Sequence, residues 1–491
     1  MTRRTVRLWV VVWLAFTTMA FAGDNWIRVA STNIVVISNA PEGDTRALVL
    51  KLEAFRAVVS RTFGVHDVPA APVILLFKDN DSFSPFKRNA GELGFFNDRG
   101  VEDVVAATNL RSEGLDYQHV LFHEFTHVLT APYLHEWPPW LREGIAEVYS
   151  MFEIEGNKVT IGDPNPRSVY YLRKHDIMPL KLLVKQAPKS HDVRNVDLFY
   201  TQSWALCHYL MFADKRAHLD QLIQFCRSVQ SGTDSEGIFR QVFQTDYAAM
   251  EGQLREYIHK DEYPAVQLVY KDLTWPQEVK VSPLVDGEIQ FWFGNLLVDC
   301  GDKSRAEYYF KQSLARAPQL DLPYEGLGYV ALLRKQYKEA RSYLEEALKR
   351  NDRNYRAHYC YAGALYGEAA GGKEFADFID PERAKVIVDE LDAAIRIRPR
   401  FAFSYDLLAR LCLNPGESLD EGMRLNDMAR KLKPRETGFV LTRAMLQIHR
   451  QEFEEAKKSL GRVLETTMND ESKAVVASIQ RELEKAQSPT R

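Results

Sequence analysis

Apolar residues follow two different patterns in the first half of the chain. The stretches NIVVISN at 33–39, PVILLF at 72–77 and VEDVVAATN at 101–109 are apolar runs typical of buried strands, whereas RALVLKLEAFRAVVSRTF at 46–63 has helical periodicity. After residue 165 the pattern is mostly helical. Mixed strands and helices followed by helices alone predict an α+β domain with a helical lobe over residues 23–272.

From residue 288 to 466 a helical pattern repeats with a fixed period. Gly294 and Gly328 are 34 residues apart, and twelve residues after each comes an alanine, followed by a bulky apolar residue that fills the gap left by the small ones. These residues are Ala306 with Phe310 and Ala340 with Leu344. The pattern resembles the tetratricopeptide repeat and predicts an all-α solenoid of about five units, since one unit cannot bury its own apolar face. Its concave surface is expected to bind a protein partner.

Three segments depart from this regularity. The insertion GEAAGGKEFADFID at 367–380 interrupts the third unit. Residues 273–287 have two prolines and little periodicity, which predicts a linker between the two domains. Residues 467–491 are polar and helical in pattern, as expected for a C-terminal capping helix and tail.

Charge and the N-terminal residues limit the class of protein. A net charge of -4 without a basic stripe argues against a nucleic-acid partner.

Residues 1–22 have the pattern of a signal peptide that is cleaved after Ala22. They contain three arginines, an apolar stretch at 8–21 and the A-x-A sequence at 20–22. The mature chain is then secreted or periplasmic, without a membrane span; an uncleaved N-terminal membrane anchor is the alternative. Five widely spaced cysteines without a C-x-x-C pair indicate no thiolate zinc site.

The apolar stretch LFHEFTHVLT at 121–130 contains the spacing H-E-x-x-H. On one helix, His123 and His127 lie one turn apart and can direct imidazole nitrogens at a single zinc ion. Catalytic zinc needs a third protein ligand and an open position, and Glu143 in PPWLREGIAEVYS is the candidate ligand. Glu147 follows it at i+4, where it could accept a hydrogen bond from the far nitrogen of a ligand histidine; the alternative is an exposed ion pair.

With WLREG after the first motif, residues 26–260 resemble the gluzincin metallopeptidases, and in particular the bacterial peptidase MA-like proteins. The resemblance implies a zincin-like fold, Zn²⁺ as cofactor, His123, His127 and Glu143 as ligands, and Glu124 as the catalytic base. The segment FYTQSWALCHYL is similar to the one whose tyrosine stabilises the tetrahedral intermediate, and that tyrosine aligns with Tyr200. His208 in the same segment is the alternative, unless it is a core histidine.

In this interpretation zinc lowers the pKa of a bound water from 15.7 to about 7, and Glu124 takes the water's proton. No G-x-M-E-N segment precedes the zinc helix, so the resemblance favours an endopeptidase over an aminopeptidase. The strand at 101–109 is expected to bind an extended peptide substrate by edge pairing.

Other histidines near the motif have simpler interpretations. His119, one turn before His123, is expected to face solvent or cap the helix, and His135 is a weaker candidate than Glu143 for the third ligand.

Two functions follow from the sequence. The first is a secreted zinc peptidase whose repeats recruit a substrate or partner; the alternative is a repeat-based interaction scaffold with an inactive or regulatory peptidase-like domain.

Overall fold

The computed structural model describes residues 25–64, 73–87, 94–95, 107–109, 117–134, 137–185, 193–229, 235–271, 274–285, 287–434, 436–464 and 470–487. The predicted signal peptide, His135 and the first six residues of the predicted strand at 101–109 lie outside these ranges. Among the helices of the described ranges, none combines the length and the apolar character needed to cross a membrane.

The N-terminal region is built on two sheets. Its strands are β1 Ile27–Ala30, β2 Val35–Ser38, β3 Val73–Phe77, β4 Gly94–Phe95, β5 Ala107–Asn109, β6 Glu153–Glu155, β7 Lys158–Ile161, β8 Val266–Val269 and β9 Lys280–Pro283. The larger sheet has six strands in the order β4-β5-β3-β2-β1-β9, in which β2, β3 and β5 run parallel. The smaller sheet is antiparallel, in the order β6-β7-β8.

Helices cover the rest of this region. They are α1 Glu42–Phe63, α2 Asn80–Phe83, α3 Tyr117–Leu134, α4 Pro139–Ser150, α5 Pro166–Lys174, α6 Leu180–Lys185, α7 Val193–Arg216, α8 Leu219–Ser228, α9 Ser235–Phe243 and α10 Tyr247–Ile258. Apolar positions such as Leu48, Leu52, Phe55 and Val59 recur on one face of α1 and are buried. The helix ends at Gly64, whose φ of 64° is in the left-handed region that favours glycine.

The repeat region consists of helix pairs. They are α11 Glu288–Asp299, α12 Lys303–Arg316, α13 Leu322–Leu333, α14 Tyr337–Arg350, α15 Tyr355–Ala369, α16 Pro381–Ile397, α17 Ala402–Leu411, α18 Leu419–Leu432, α19 Thr437–His449 and α20 Phe453–Leu464, followed by α21 Asp470–Gln487. A Cβ on Gly294 would lie 2.4 Å from the ring of Phe310, and one on Gly328 would lie 2.6 Å from Leu344. The predicted helical solenoid is therefore confirmed, including the role of glycine in close helix approach.

The central strands β2 and β3 of the larger sheet are buried on both faces, which explains why they are apolar without alternation. Side chains of Val36, Ile74 and Leu76 belong to the core that contains α1 and α3. On the opposite face, the ring centroid of Phe293 in α11 lies 5.4 Å from that of Trp26 and 6.1 Å from that of Phe77. The first repeat helix and the sheet thus share one hydrophobic core.

The structure differs from the predicted linker over residues 273–287. Strand β9 pairs antiparallel with β1, with Ile27 opposite Pro283 and Ala30 opposite Lys280. The four residues KVSP are mostly polar and give no strand signal by themselves, so the strand forms because of its pairing with the distant β1. Residues 280–283 are therefore part of the sheet.

The prediction that residues 101–109 form an edge strand for substrate is also wrong for the part described. Strand β5 lies between β3 and β4, with Ala107 opposite both Leu75 and Phe95. Its backbone is already paired on both sides. Strand β4 is the outer strand of the described sheet, and it packs against α3.

Candidate metal centre

Helix α3 positions His123 and His127. Its apolar side chains, among them Phe122 and Phe125, are buried, and the ring of Phe122 stacks on that of Phe55 in α1 at 4.7 Å. Because this face is held against α1, the two histidines, four residues apart, point together to the side on which α4 packs.

Helix α4 brings Glu143 to the same place. It begins at Pro139, with Trp140 and Leu141 fully buried, and packs closely on α7. Gly144 makes this approach possible, because a Cβ there would lie 2.4 Å from both Cys207 Sγ and Ser203 O. Gly144, the residue that follows Glu143, therefore allows α7 to pack closely against α4.

Three donor atoms converge on one point. His127 Nε2 lies 3.0 Å from Glu143 Oε2 and 3.3 Å from His123 Nε2, and His123 Nε2 lies 3.3 Å from Glu143 Oε2. Ligands bonded to tetrahedral zinc at about 2.0–2.1 Å are about 3.3 Å from one another. Two imidazoles and a carboxylate with this spacing fit the donor set of a zinc ion.

The three candidate ligands are partly accessible to solvent. The side chains of His123, His127 and Glu143 are 11, 16 and 18% exposed. A fully enclosed structural site would bury all its ligands, so this arrangement fits an open site that admits a water or a substrate.

The charges at the centre also favour a cation. Burial works against the charged form of His123, but Glu147, Glu143 and Glu124 raise its pKa well above the usual value. For Glu143, burial acts in the opposite direction, yet His127 and His123 hold its pKa well below the usual value. The carboxylates thus favour positive charge at this point, and a divalent ion bound in place of the His123 proton would be stabilised by the same charges.

Glu147 contacts the far side of His123. Its Oε1 lies 3.1 Å from His123 Nδ1, and its Oε2 lies 3.3 Å from His119 Nε2. Burial alone would raise the pKa of Glu147, but His123 and His119 lower it to about 2. The carboxylate is therefore charged and favours a proton on the neighbouring Nδ1, so that the neutral, metal-binding form of the ring would present the lone pair of Nε2 to the centre.

His119 does not face solvent as the sequence suggested. Its side chain is 13% exposed, and its Nε2 lies 2.9 Å from Nδ2 of Asn165. Asn165 is also the N-cap of α5, where its Oδ1 accepts from the backbone NH of Arg167. Sequence reasoning missed Asn165; the Asn-Pro pair before α5 marks a helix start but not the contact with α3.

Tyr200 lies beside the centre. Its ring centroid is 6.0 Å from that of His123. Burial, followed by the carboxylates Glu143, Glu124 and Glu147, raises the pKa of its phenol. The hydroxyl therefore stays protonated at neutral pH and can donate a hydrogen bond to a developing negative charge.

His208, the alternative to Tyr200, is a core residue in the structure. It is fully buried, with Nδ1 2.7 Å from the hydroxyl of Tyr257 and Nε2 2.6 Å from the carbonyl oxygen of Gly162. Burial lowers its pKa to about 4. Both ring nitrogens are engaged away from the centre, so His208 stays neutral and structural.

Comparison with known proteins identifies part of the solenoid. A family model of the tetratricopeptide repeat matches residues 323–354. These residues form a tetratricopeptide repeat. They contain most of α13 and all of α14, the pair in which Gly328 and Leu344 interlock. The family match therefore falls on the unit with the clearest periodic pattern.

Two solved structures illustrate the similarity. A thermophilic tetratricopeptide-repeat protein of Thermus thermophilus is 18% identical, with 41% of this chain and 98% of that chain covered and a TM-score of 0.33. A tetratricopeptide-repeat protein of Parabacteroides merdae is 13% identical, with 60% and 94% covered and a TM-score of 0.31. No curated protein matches the sequence.

Proposed function

We propose that the chain is a secreted or periplasmic zinc-dependent peptidase of the gluzincin type, with repeats that recruit a substrate or partner. The observation that carries the proposal is the convergence of His123, His127 and Glu143, with nitrogen and oxygen atoms 3.0–3.3 Å apart. A zinc ion held there would supply a Lewis acid that lowers the pKa of water from 15.7 to about 7.

The chain's own residues then have distinct tasks. Glu124, next to His123 on α3 and close enough to raise the pKa of both His123 and Tyr200, accepts the proton of the attacking water and returns it to the leaving amine. The Tyr200 hydroxyl donates to the carbonyl oxygen as negative charge develops, a contribution of about 2.7–4 kcal/mol for one such donor. Glu147 holds the ring of His123.

An extended substrate would lie along β4 rather than β5. Strand β4 is the outer strand of the described sheet and packs against α3, which contains the two histidines. A peptide paired with its backbone would therefore lie alongside α3. This replaces the edge-pairing role that the sequence suggested for residues 101–109.

The test combines metal content with hydrolysis. Purified protein should contain one zinc per chain and cleave members of a broad peptide library, while Glu124→Gln retains the zinc and loses cleavage. Glu155→Gln, which changes an exposed glutamate of β6, is the matched control and should cleave at the original rate. A protein that binds no zinc, or a Glu124→Gln variant that cleaves as fast as the original, contradicts the proposal.

A second candidate function is supported by the family match at residues 323–354. Tetratricopeptide repeats present concave surfaces for binding, so the chain could act as an interaction scaffold with an inactive or regulatory N-terminal domain. Protein that contains one zinc per chain but cleaves no member of the library would favour this function over the peptidase.

A further inference from the structure

Helix α5 has a basic and aromatic side. Its sequence PRSVYYLRK contains three residues that are arginine or lysine and no carboxylate, in a chain whose net charge is -4. Arg167, Tyr170 and Lys174 have the spacing i, i+3 and i+7, so they lie along one side of the helix. All three are exposed, Tyr170 by 67%. These three residues are here called the basic stripe.

The opposite side of α5 fixes the direction of the stripe. Ser168 and Leu172, four residues apart, are buried, and the helix packs against α7 and α10. At its start, Oδ1 of Asn165 accepts from the backbone NH of Arg167 at 3.0 Å and so caps the helix. The basic stripe is therefore presented by an element that is anchored at its start and along its buried side.

Helix capping does not explain the two charges of the stripe. Arg167 is the second residue of α5, where a positive charge opposes the helix dipole. Among the described residues, neither the guanidinium of Arg167 nor the ammonium of Lys174 has a hydrogen-bond or ion-pair partner. Arg173 is different, because its Nε donates to the carbonyl oxygen of Ile258 at 3.2 Å and caps the end of α10. The stripe thus has two cations that the fold itself does not use.

The stripe ends at a cavity of about 180 Å³ between the C-terminal ends of α5 and α10. Its lining includes five basic side chains and one carboxylate: Arg173, Lys174, His175, Arg255, His259 and Asp176. Glu251 lies 2.9 Å from Arg255 and offsets part of this charge. The volume is several times the share of one water molecule, about 30 Å³, so the cavity can admit an acidic side chain.

The other end of α5 lies beside the candidate metal centre. Nδ2 of Asn165 lies 2.9 Å from Nε2 of His119. His119 in turn lies 3.3 Å from Glu147, which contacts the candidate ligand His123. From this end α5 extends for nine residues, about 13 Å, which is the length of about four residues of an extended peptide. A substrate bound at the centre can therefore reach the stripe with residues a few positions from the cleaved bond.

We propose that the basic stripe and the cavity at its end bind an acidic segment of the substrate, a few residues away from the bond that is cleaved. The two unpaired cations attract carboxylates, and the exposed ring of Tyr170 offers a rigid contact surface of the kind that is enriched at binding sites. This inference rests on the peptidase activity of the proposed function. It adds the class of substrate, which is a polypeptide with acidic residues near the cleaved bond.

Binding is tested with the full chain carrying Glu124→Gln, which prevents cleavage, and a fluorescent peptide of alternating glutamate and alanine, followed by anisotropy at low salt. Arg167→Gln combined with Lys174→Gln should weaken binding roughly tenfold, because two exposed attractions are lost. Arg316→Gln combined with Arg481→Gln removes the same charge from exposed positions of the solenoid and should leave the affinity unchanged. A peptide with glutamine in place of glutamate should bind weakly to every variant.

A variant with the opposite expected effect guards against misfolding. Asp176→Asn removes a negative charge from the cavity lining and should strengthen binding of the acidic peptide about threefold. Equal affinities of the starting chain, the stripe variant and Asp176→Asn would overturn the proposal. Displacement of the peptide by heparin at a lower concentration than by unlabelled peptide would also overturn it, in favour of an acidic polysaccharide as the partner.

Hydrolysis separates this inference from the proposed function. With Glu124 intact, a peptide extended by glutamates should have a lower KM than one extended by glutamines, at equal kcat, and the stripe variant should lose the difference. Cleavage of both peptides with the same KM would refute the stripe and leave the peptidase proposal standing. Binding of the acidic peptide without any cleavage would refute the peptidase and retain the stripe as a site for acidic peptides.

Discussion

Glu147 Oε1 lies 3.1 Å from Nδ1 of His123, on the side of the ring opposite the candidate metal position. One turn of α4 separates Glu147 from Glu143, so a single helix supplies both a ligand for the metal and a partner for a ligand on α3. The orientation of His123 therefore depends on the same helix packing that places Glu143.

Glu147→Gln should lower zinc affinity about 10- to 100-fold, because the amide cannot hold the proton on Nδ1 of His123 as a carboxylate does. Competition against a fluorescent zinc chelator measures this directly. Glu155→Gln, an exposed change of the same type, should leave the affinity unchanged. Equal affinities for the two variants would remove Glu147 from the centre.

His119→Ala should weaken zinc binding less than Glu147→Gln does, since Glu147 contacts the ring of His123 directly and His119 contacts Glu147. The two changes should also be non-additive, as expected for residues that contact the same carboxylate. A double-mutant cycle of zinc affinities provides the measurement. Strictly additive losses would show that His119 acts on its own.

Gly144→Ala should destabilise the fold by about 1–3 kcal/mol, because its Cβ would lie 2.4 Å from atoms of Ser203 and Cys207 and would push α7 away from α4. Gly252→Ala on α10 is the matched control; its Cβ meets nothing within 4 Å, so stability should rise by about 0.5–1 kcal/mol. Thermal unfolding midpoints followed by circular dichroism distinguish the two. A Gly144→Ala variant as stable as the original would contradict the close approach.

Phe293→Ala should destabilise the contact between sheet and solenoid by about 3–5 kcal/mol, because its ring packs between Trp26 and Phe86. Tyr308→Ala, at a ring that is 51% exposed, should cost less than about 0.5 kcal/mol. The thermal midpoint again reports the difference. Similar midpoints for both variants would mean that the two regions unfold without support from each other.

Acid should destabilise the protein through His208. Its folded pKa is about 4 because burial disfavours the charged form, while the unfolded residue titrates near 6.5. Above pH 6.5 neither state is protonated; between pH 6.5 and 4 only the unfolded state gains the proton, so stability falls by up to about 3 kcal/mol.

His208→Gln removes this titration. The difference in thermal midpoint between the original chain and the variant, measured at equal zinc, should shrink as the pH falls from 7 to 4. Because both proteins share the same metal centre, its own acid sensitivity cancels in the difference. A difference that stays constant with pH would show that His208 has the same pKa in the folded and unfolded states.

The spacing of residues along the sequence was enough to predict several features of this protein. The 34-residue period, with Gly294 against Phe310 and Gly328 against Leu344, predicted the helix pairs because such contacts recur within one repeat. The i, i+4 spacing of His123 and His127 predicted a shared helix face, since helix geometry fixes the direction of both side chains.

Other features depended on elements far apart in sequence. Strand β9 joins β1 from the other end of the N-terminal region, His119 contacts Asn165 at the start of α5, and the backbone NH of Ile379 donates to Asn414. None of these has a periodic signal, because each follows from the packing of separately formed elements. Sequence by itself determined the repeats and the candidate ligands, whereas only tertiary packing decided what surrounds His123 and which strand closes the sheet.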